Sequence, residues 1–217
     1  MLCGTNESKL RDCIIELENN ESLKYMIFDM SDFENIEHNV EKAFHIFGNV
    51  DILVNSAGVH TNNVDFFRMT VEEYDRIMNV NIKGLYFVCM EFAKRMMKNT
   101  SKTKKHILLI SSSRGSEPAW SPYGLSKWAL NGLTQGLAQI LLPHNIIVNG
   151  IAPGSTATTL IGVKPGDSIY TTENKEERLI MPDEVANIAK LLVSTAGDMV
   201  VGEIVHISGG RGIIDIR

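Results

Sequence analysis

Short apolar runs rich in β-branched residues alternate along this chain with longer stretches of helical periodicity, and this alternation constrains the fold more than any other feature. Strand-length runs separated by crossover helices are the pattern of a parallel sheet covered on both faces. Asn6 caps a predicted helix over 7–17, with Leu10, Cys13, Ile14 and Leu17 at helical spacing. Residues 23–28 predict a strand ending at Asp29. A helix opening at Ser31 or Asp32 carries Phe33, Ile36, Val40, Ala43, Phe44 and Phe47 on one face and stops at Gly48. Residues 50–54 form a compact strand leading into Asn55-Ser56-Ala57-Gly58. Helical periodicity runs from Val71 to Lys98 with a break near 79–83. A strand over 106–110 ends in Ser111-Ser112-Ser113, and Pro122 opens a helix to Leu142, closed by Pro143. Residues 146–151 are a strand broken by Pro153-Gly154, Pro182 starts a last helix to Leu192, and 203–207 are the last strand. The stretch from Ser155 to Met181 exceeds an ordinary connection and reads as a lid. With no internal repeat or linker, residues 1–217 read as one α/β domain.

Composition removes several function classes. A net charge of −5 argues against a nucleic-acid surface, and Lys102, Lys104 and Lys105 read as a solvated loop. No apolar run has the length of a membrane span, and the first residues lack the apolar core of a signal peptide. Three separated cysteines without a CxxC point to buried thiols in a reducing compartment. Six histidines without ligand spacing predict no catalytic metal. The expectation is a cytoplasmic protein with neither nucleic acid nor membrane as partner.

Tyr123 and Lys127 stand four apart near a helix start and so share a face. A tyrosine titrates near pH 10 and is a poor acid or base at neutrality. Moving it there takes roughly 4 kcal/mol of differential interaction, which an ammonium in a partly dry cleft can supply. With five tyrosines in the chain, such a pair also arises by chance. Ser112 ends a predicted strand eleven residues earlier. There a hydroxyl can hydrogen-bond a carbonyl oxygen as charge develops on it, or simply cap local backbone. Asn55–Gly58 and Pro153-Gly154 end two further strands, so three compact strand ends point to one shared site.

Asn55-Ser56-Ala57-Gly58, Asn79-Val80-Asn81, Ser112, Tyr123-Gly124-Leu125-Ser126-Lys127 and Pro153-Gly154-Ser155-Thr156-Ala157-Thr158 together resemble, in order and spacing, the short-chain dehydrogenase/reductase family, over about residues 2–210. The resemblance implies a Rossmann-like, doubly wound parallel sheet in a three-layer αβα arrangement. It also implies NAD- or NADP-dependent interconversion of a small-molecule carbonyl and a secondary alcohol. Tyr123 would be the acid/base, Lys127 would lower its pKa and hold the nicotinamide ribose, and Ser112 would orient the carbonyl. Asn81 would anchor a proton-carrying water chain, unless it only marks the helix break. Asn55, Ala57 and Gly58 would line the adenosine side. Asp29 would contact adenine, the competing reading being an ordinary strand-ending aspartate. Pro153, Gly154, Thr156 and Thr158 would hold the nicotinamide end. Family members pair through the helices corresponding to 71–98 and 122–142, which implies a homodimer or homotetramer.

The chain departs from the family pattern at its start. The family opens with a strand and a Thr-Gly-x-x-x-Gly-x-Gly turn, whereas the first glycines here are Gly4, Gly48 and Gly58, and residues 1–6 look like the tail of the family's second strand. The expectation is therefore a sheet lacking its first βα unit, weakened cofactor affinity and bare backbone edges. We expect an incomplete version of a longer enzyme. The alternatives are a catalytically silent, oligomerising relative that acts through interactions, and an active form with a rebuilt N-terminus. Gly4-Thr5-Asn6 offers no charge to choose NAD over NADP. Trp120 and Trp128 read either as an apolar wall of the substrate site or as core.

Overall fold

The computed structural model describes residues 1–17, 21–62, 65–99, 101–164 and 166–211, so the last six positions of the expected domain lie outside the described residues. Six strands and six α-helices follow one another as β1 (Leu2–Gly4), α1 (Glu7–Glu16), β2 (Tyr25–Ile27), α2 (Ile36–Phe47), β3 (Ile52–Asn55), α3 (Val71–Met78), α4 (Leu85–Lys98), β4 (Lys105–Ile110), α5 (Pro122–Leu141), β5 (Ile146–Pro153), α6 (Pro182–Leu192) and β6 (Ile204–Ile207). Among the described residues the pairings between these strands are all parallel, as the alternation of strands and helices requires. Among the described residues no helix is long and apolar enough to cross a membrane.

The sheet is divided. β1 pairs with β2, while β3, β4, β5 and β6 form a separate four-stranded ladder in that order. The bare edges expected from the sequence fall on β1 and β3. Alternate residues of the central strands serve two different cores. Ile107 and Leu109 of β4 and Ile146 and Val148 of β5 pack with α2, α4 and α5, and Met26 and Phe28 from the β2 region join that same cluster. Leu108 and Ile151 face the other way, against α6. The two cores give the three-layer arrangement, and the first of them bridges the division in the sheet. β3 pairs Leu53 with Ile107 and Val54 with Leu108, so Ile52 and Val54 point toward the α6 side. α6 leaves them uncovered: they are 45% and 48% exposed.

The helix break expected at 79–83 is a π-helical turn, Asn79–Gly84, that joins α3 to α4. Gly84 is required there because a Cβ would lie 2.1 Å from the Met30 carbonyl oxygen. Several readings need correction. Lys105 is not in a solvated loop. It opens β4 at 1% exposure, and its Nζ donates to the Asn99 and Ser101 carbonyls beyond the end of α4, where a cation meets orphan carbonyls. Cys3 and Cys13 are exposed, and only Cys89 is buried. Trp120 and Trp128 are half-exposed, not core. The stretch 155–181 is tied down by a Thr156–Ile180 bridge and a Tyr170–Arg178 bridge.

Candidate active site

The carboxyl ends of β3, β4 and β5 carry the polar residues singled out in the sequence. Ser112 follows β4 and accepts from the Arg114 backbone N–H, starting a short 3-10 turn. Ser121 caps α5 by accepting from the Gly124 N–H, with Pro122 in the first turn, so Tyr123 and Lys127 enter on one helical face. Lys127 is 5% exposed. Its Nζ lies 5.5 Å from the Tyr123 ring centre and donates to the Ile110 carbonyl at 2.9 Å. Burial lowers its pKa from the ordinary 10.5 to about 8.

Asn81 sits in the π-turn and is almost fully buried. Its Oδ1 accepts from the Val59 N–H at 2.8 Å, and its Nδ2 donates to the Val59 carbonyl and to Ser126 Oγ. Ser126 in turn donates to the Tyr123 carbonyl at 2.7 Å. Asn81 therefore clamps the loop after β3 to α5. Gly58 lies inside this cluster, since a Cβ there would meet Asn81 Oδ1 at 3.4 Å and Lys127 Nζ at 3.7 Å. The structure thus brings Gly58, Asn81, Ser112, Tyr123 and Lys127 together.

The electrostatics of Tyr123 differ from expectation. Burial is the largest influence and holds its pKa above the ordinary 10.0, against a hydrogen bond with Ser112 and the charge of Arg114, both of which pull it down. Lys127, itself pushed toward neutrality by burial, does not reverse that direction. In this state the phenol keeps its proton at neutral pH and is poised as a donor.

The remaining candidates lie farther out. Asn55 is buried and its Nδ2 donates to Met30 Sδ at 3.0 Å, placing the end of β3 against the segment after β2. Ala57 and Gly58 are exposed at that end. Asp29, also exposed, accepts from the Ser31 backbone and hydroxyl, so it closes an Asx-turn. Pro153 ends β5. Gly154 packs tightly on Ser208, Thr156 Oγ1 donates to the Gly154 carbonyl, and Thr158 Oγ1 donates to the Thr156 carbonyl. Two participants, His60 and Arg114, escaped the sequence reading, and a third, Ser126, stood in the Tyr123–Lys127 motif without a role. His60 stacks on the Tyr123 ring at 4.3 Å, Arg114 lies beside the site, and Ser126 bridges Asn81 to α5. Only Ser126 carried a signal, standing three residues after Tyr123 on the same helical face.

These residues fit a dinucleotide at one end. Exposed small residues after β3 admit close backbone approach, and Lys127 has one hydrogen-bond acceptor among the described residues for three donors. Among the described residues no strand runs through a glycine-rich turn into a helix in the phosphate-cradling way, and Gly209-Gly210 after β6 leads into no described helix. Among the described residues no cluster of His, Cys, Asp or Glu has the makings of a metal site.

Comparison with known proteins agrees with this arrangement. The sequence pattern described as short chain dehydrogenase matches residues 1–165. An acetoacetyl-CoA reductase of an Acinetobacter species is 31% identical over 190 residues, covering 87% of this chain and 76% of the relative. A 2-dehydro-3-deoxy-D-gluconate 5-dehydrogenase of Dickeya dadantii is 35% identical, over 84% of this chain and 73% of its own. The crystal structure of a 3-ketoacyl-(acyl-carrier-protein) reductase from Brucella melitensis, complexed with NADH, superposes with a TM-score of 0.86 at 28% identity. It covers 97% of this chain and 86% of its own.

Proposed function

The chain belongs to the short-chain dehydrogenase family, and from that membership we propose that it interconverts a carbonyl and a secondary alcohol with NAD or NADP, using Tyr123 as acid/base. The observation that carries the reading is the convergence of Ser112, Tyr123, Lys127 and Asn81 at the carboxyl ends of β3 and β4. The nicotinamide supplies or accepts the hydride. In reduction, Tyr123 gives its proton to the carbonyl oxygen, and Ser112 donates a hydrogen bond to that oxygen as charge develops. Lys127, anchored on the Ile110 carbonyl, keeps donors for the ribose hydroxyls and, with a pKa of about 8, is close enough to neutrality to return a proton to Tyr123. Asn81 holds the loop after β3 in register with Lys127 and stands where a water chain to solvent would begin.

Asn55, Ala57 and Gly58 line the adenosine side in this reading, Asp29 lies at its far end, and Pro153, Gly154, Thr156 and Thr158 border the nicotinamide. In this reading self-association uses α4 and α5, and the exposure of Tyr86, Phe87, Leu125 and Trp128 supports it. The test is calorimetric titration of the purified chain with NADH and NADPH, followed by cofactor oxidation with carbonyl substrates. Tyr123→Phe is expected to reduce turnover by about 10²- to 10⁴-fold with cofactor affinity unchanged. Near-normal turnover by that variant would sink the assignment. Folded protein that binds neither cofactor at millimolar concentration leaves either an incomplete form of a longer enzyme or a silent, oligomerising relative, and restoring an upstream strand and glycine loop decides between them.

A further inference from the structure

We propose that Arg114 is the anchor for a substrate carboxylate, so that the substrate is a small oxo acid or, in the oxidative direction, a hydroxy acid. The inference rests on the carbonyl–alcohol reading above. It starts from the cavity onto which Tyr123 opens, a space of about 250 Å³ whose walls include His60, Asn62, Arg114, Trp120 and Tyr123. That volume falls below the roughly 300–1,000 Å³ of pockets for drug-sized ligands, which favours a compact substrate. No aspartate or glutamate lines it among the described residues, whereas an arginine and a histidine do. The walls are therefore complementary to an anion.

Arg114 is placed for this role by its own contacts. Its side chain is half-exposed, and one guanidinium nitrogen, Nη1, donates to Glu117 at 3.0 Å. Glu117 is shared, because its other oxygen takes Arg211 at 2.8 Å, and Arg211 also pairs with Glu173. One carboxylate divided between two arginines leaves the rest of the Arg114 fork for a ligand, and a guanidinium presents five donors in a plane matched to a carboxylate. The charge also acts at the Tyr123 phenol, so Arg114 and the proton donor address the same small space.

The His60 and Asn62 part of the wall is tied down by hydrogen bonds. Glu73 accepts from the Asn62 N–H at 2.7 Å and from Arg76, while Arg76 Nη2 donates to the His60 carbonyl. A neutral substrate filling this cavity would strip water from Arg114 without replacing it, an unfavourable exchange that an oxo acid avoids.

The experiment uses acetoacetate and its methyl ester as probes at constant ionic strength, followed by the fluorescence of Trp120 at the cavity wall. Acetoacetate is expected to bind at least about tenfold more tightly than the ester, and Arg114→Met to weaken acetoacetate on the order of ten- to a hundredfold with no effect on the ester. Arg114→Lys should recover part of the loss, since it restores charge but not the fork. Glu117→Gln should tighten acetoacetate several-fold by releasing its competitor. Equal affinity for acid and ester, or an unchanged affinity in a folded Arg114→Met, overturns the proposal. Should Arg114→Met not fold, opposite responses of Arg114→Lys and Glu117→Gln decide it, and identical responses reject it. Reductase assays with the same pair separate this inference from the reading beneath it. Reduction of the ester as readily as the acid removes the anchor and keeps the activity. Arg114-dependent binding of acetoacetate without reduction of either compound keeps the anchor and removes the activity.

Discussion

Replacing Lys127 by methionine tests whether the site is a place where function opposes stability. Lys127 is 5% exposed, with the Ile110 carbonyl as its hydrogen-bond partner. Its descent from the ordinary 10.5 to about 8 arises from burial, and corresponds to about 3 kcal/mol of penalty for keeping the ammonium charged in the folded protein. The sign follows from proton counting. Between about pH 8 and 10.5 the unfolded chain binds more protons at this lysine than the folded one, so stability rises with pH across that window. Below the folded pKa the penalty is complete, and above 10.5 it has gone. Methionine removes the charge but also leaves the Ile110 carbonyl without its donor, a loss of about 1–3 kcal/mol that is common to every pH. The informative quantity is therefore the difference between wild type and Lys127→Met at two pH values. Urea unfolding at pH 7 and pH 10 should show wild type gaining about 2–3 kcal/mol on the variant at the higher pH. The same comparison in a Tyr123→Phe background excludes the tyrosine's own titration. A pH-independent difference, or a gain by the variant at high pH, would refute the claim that desolvation dominates at Lys127.

Three further outcomes follow from contacts in the fold. Gly84→Ala drives a methyl into the Met30 carbonyl and should lower stability by at least about 2–3 kcal/mol, seen as a fall in urea midpoint at constant slope; a change within about 0.5 kcal/mol would contradict the π-turn packing. Glu73→Gln weakens a clamp whose carboxylate is held at about 2 by Arg76 and the Asn62 amide; it should raise KM several-fold with little change in kcat or melting temperature. Ile52→Lys with Val54→Lys places charge on the uncovered face beside the free edge of β3 and should suppress open-ended aggregation in light scattering, while leaving a closed oligomer through α4 and α5 intact.

The parts of this fold legible in the sequence are those where one local pattern decides the outcome. β4 and β5 are apolar on both faces because two cores claim their alternate residues, and a continuous apolar run records that directly. α5 carries its proline at the first turn and a serine cap just before it, so its register, and with it the spacing of Tyr123 and Lys127, could be read without a structure. Lys105 is not legible in the sequence because a lysine at a strand entrance looks like Lys102 and Lys104 beside it, and the carbonyls of Asn99 and Ser101 that make its burial tolerable come from the preceding loop. The π-turn showed itself as a break but not as a direction, since the reason for Gly84 is Met30, fifty-four positions earlier. His60 left no trace at all: its stacking on Tyr123 joins two segments that no periodicity connects.

The division of the sheet also separates the site into two parts that depend on different packing. Ser112, Tyr123 and Lys127 hang on β4 and α5, and Asn81 ties the end of β3 to α5 through Val59 and Ser126. All of these supports belong to the four-stranded ladder or to helices packed on it. Asp29 belongs to the β1–β2 side and meets the ladder through Met30, whose sulfur takes Asn55 and whose carbonyl abuts Gly84. The hydrogen bonds of the acid/base residues thus stay on the ladder side of the division, with Gly84 against Met30 as the contact of the Asn81 turn across it, while the candidate adenosine side straddles it. Mobility of β1 and β2 relative to the ladder would loosen a dinucleotide at its adenine end and leave the Tyr123–Ser112–Lys127 arrangement in place. By this reasoning the division bears first on cofactor affinity, and only through it on the proton transfer at Tyr123.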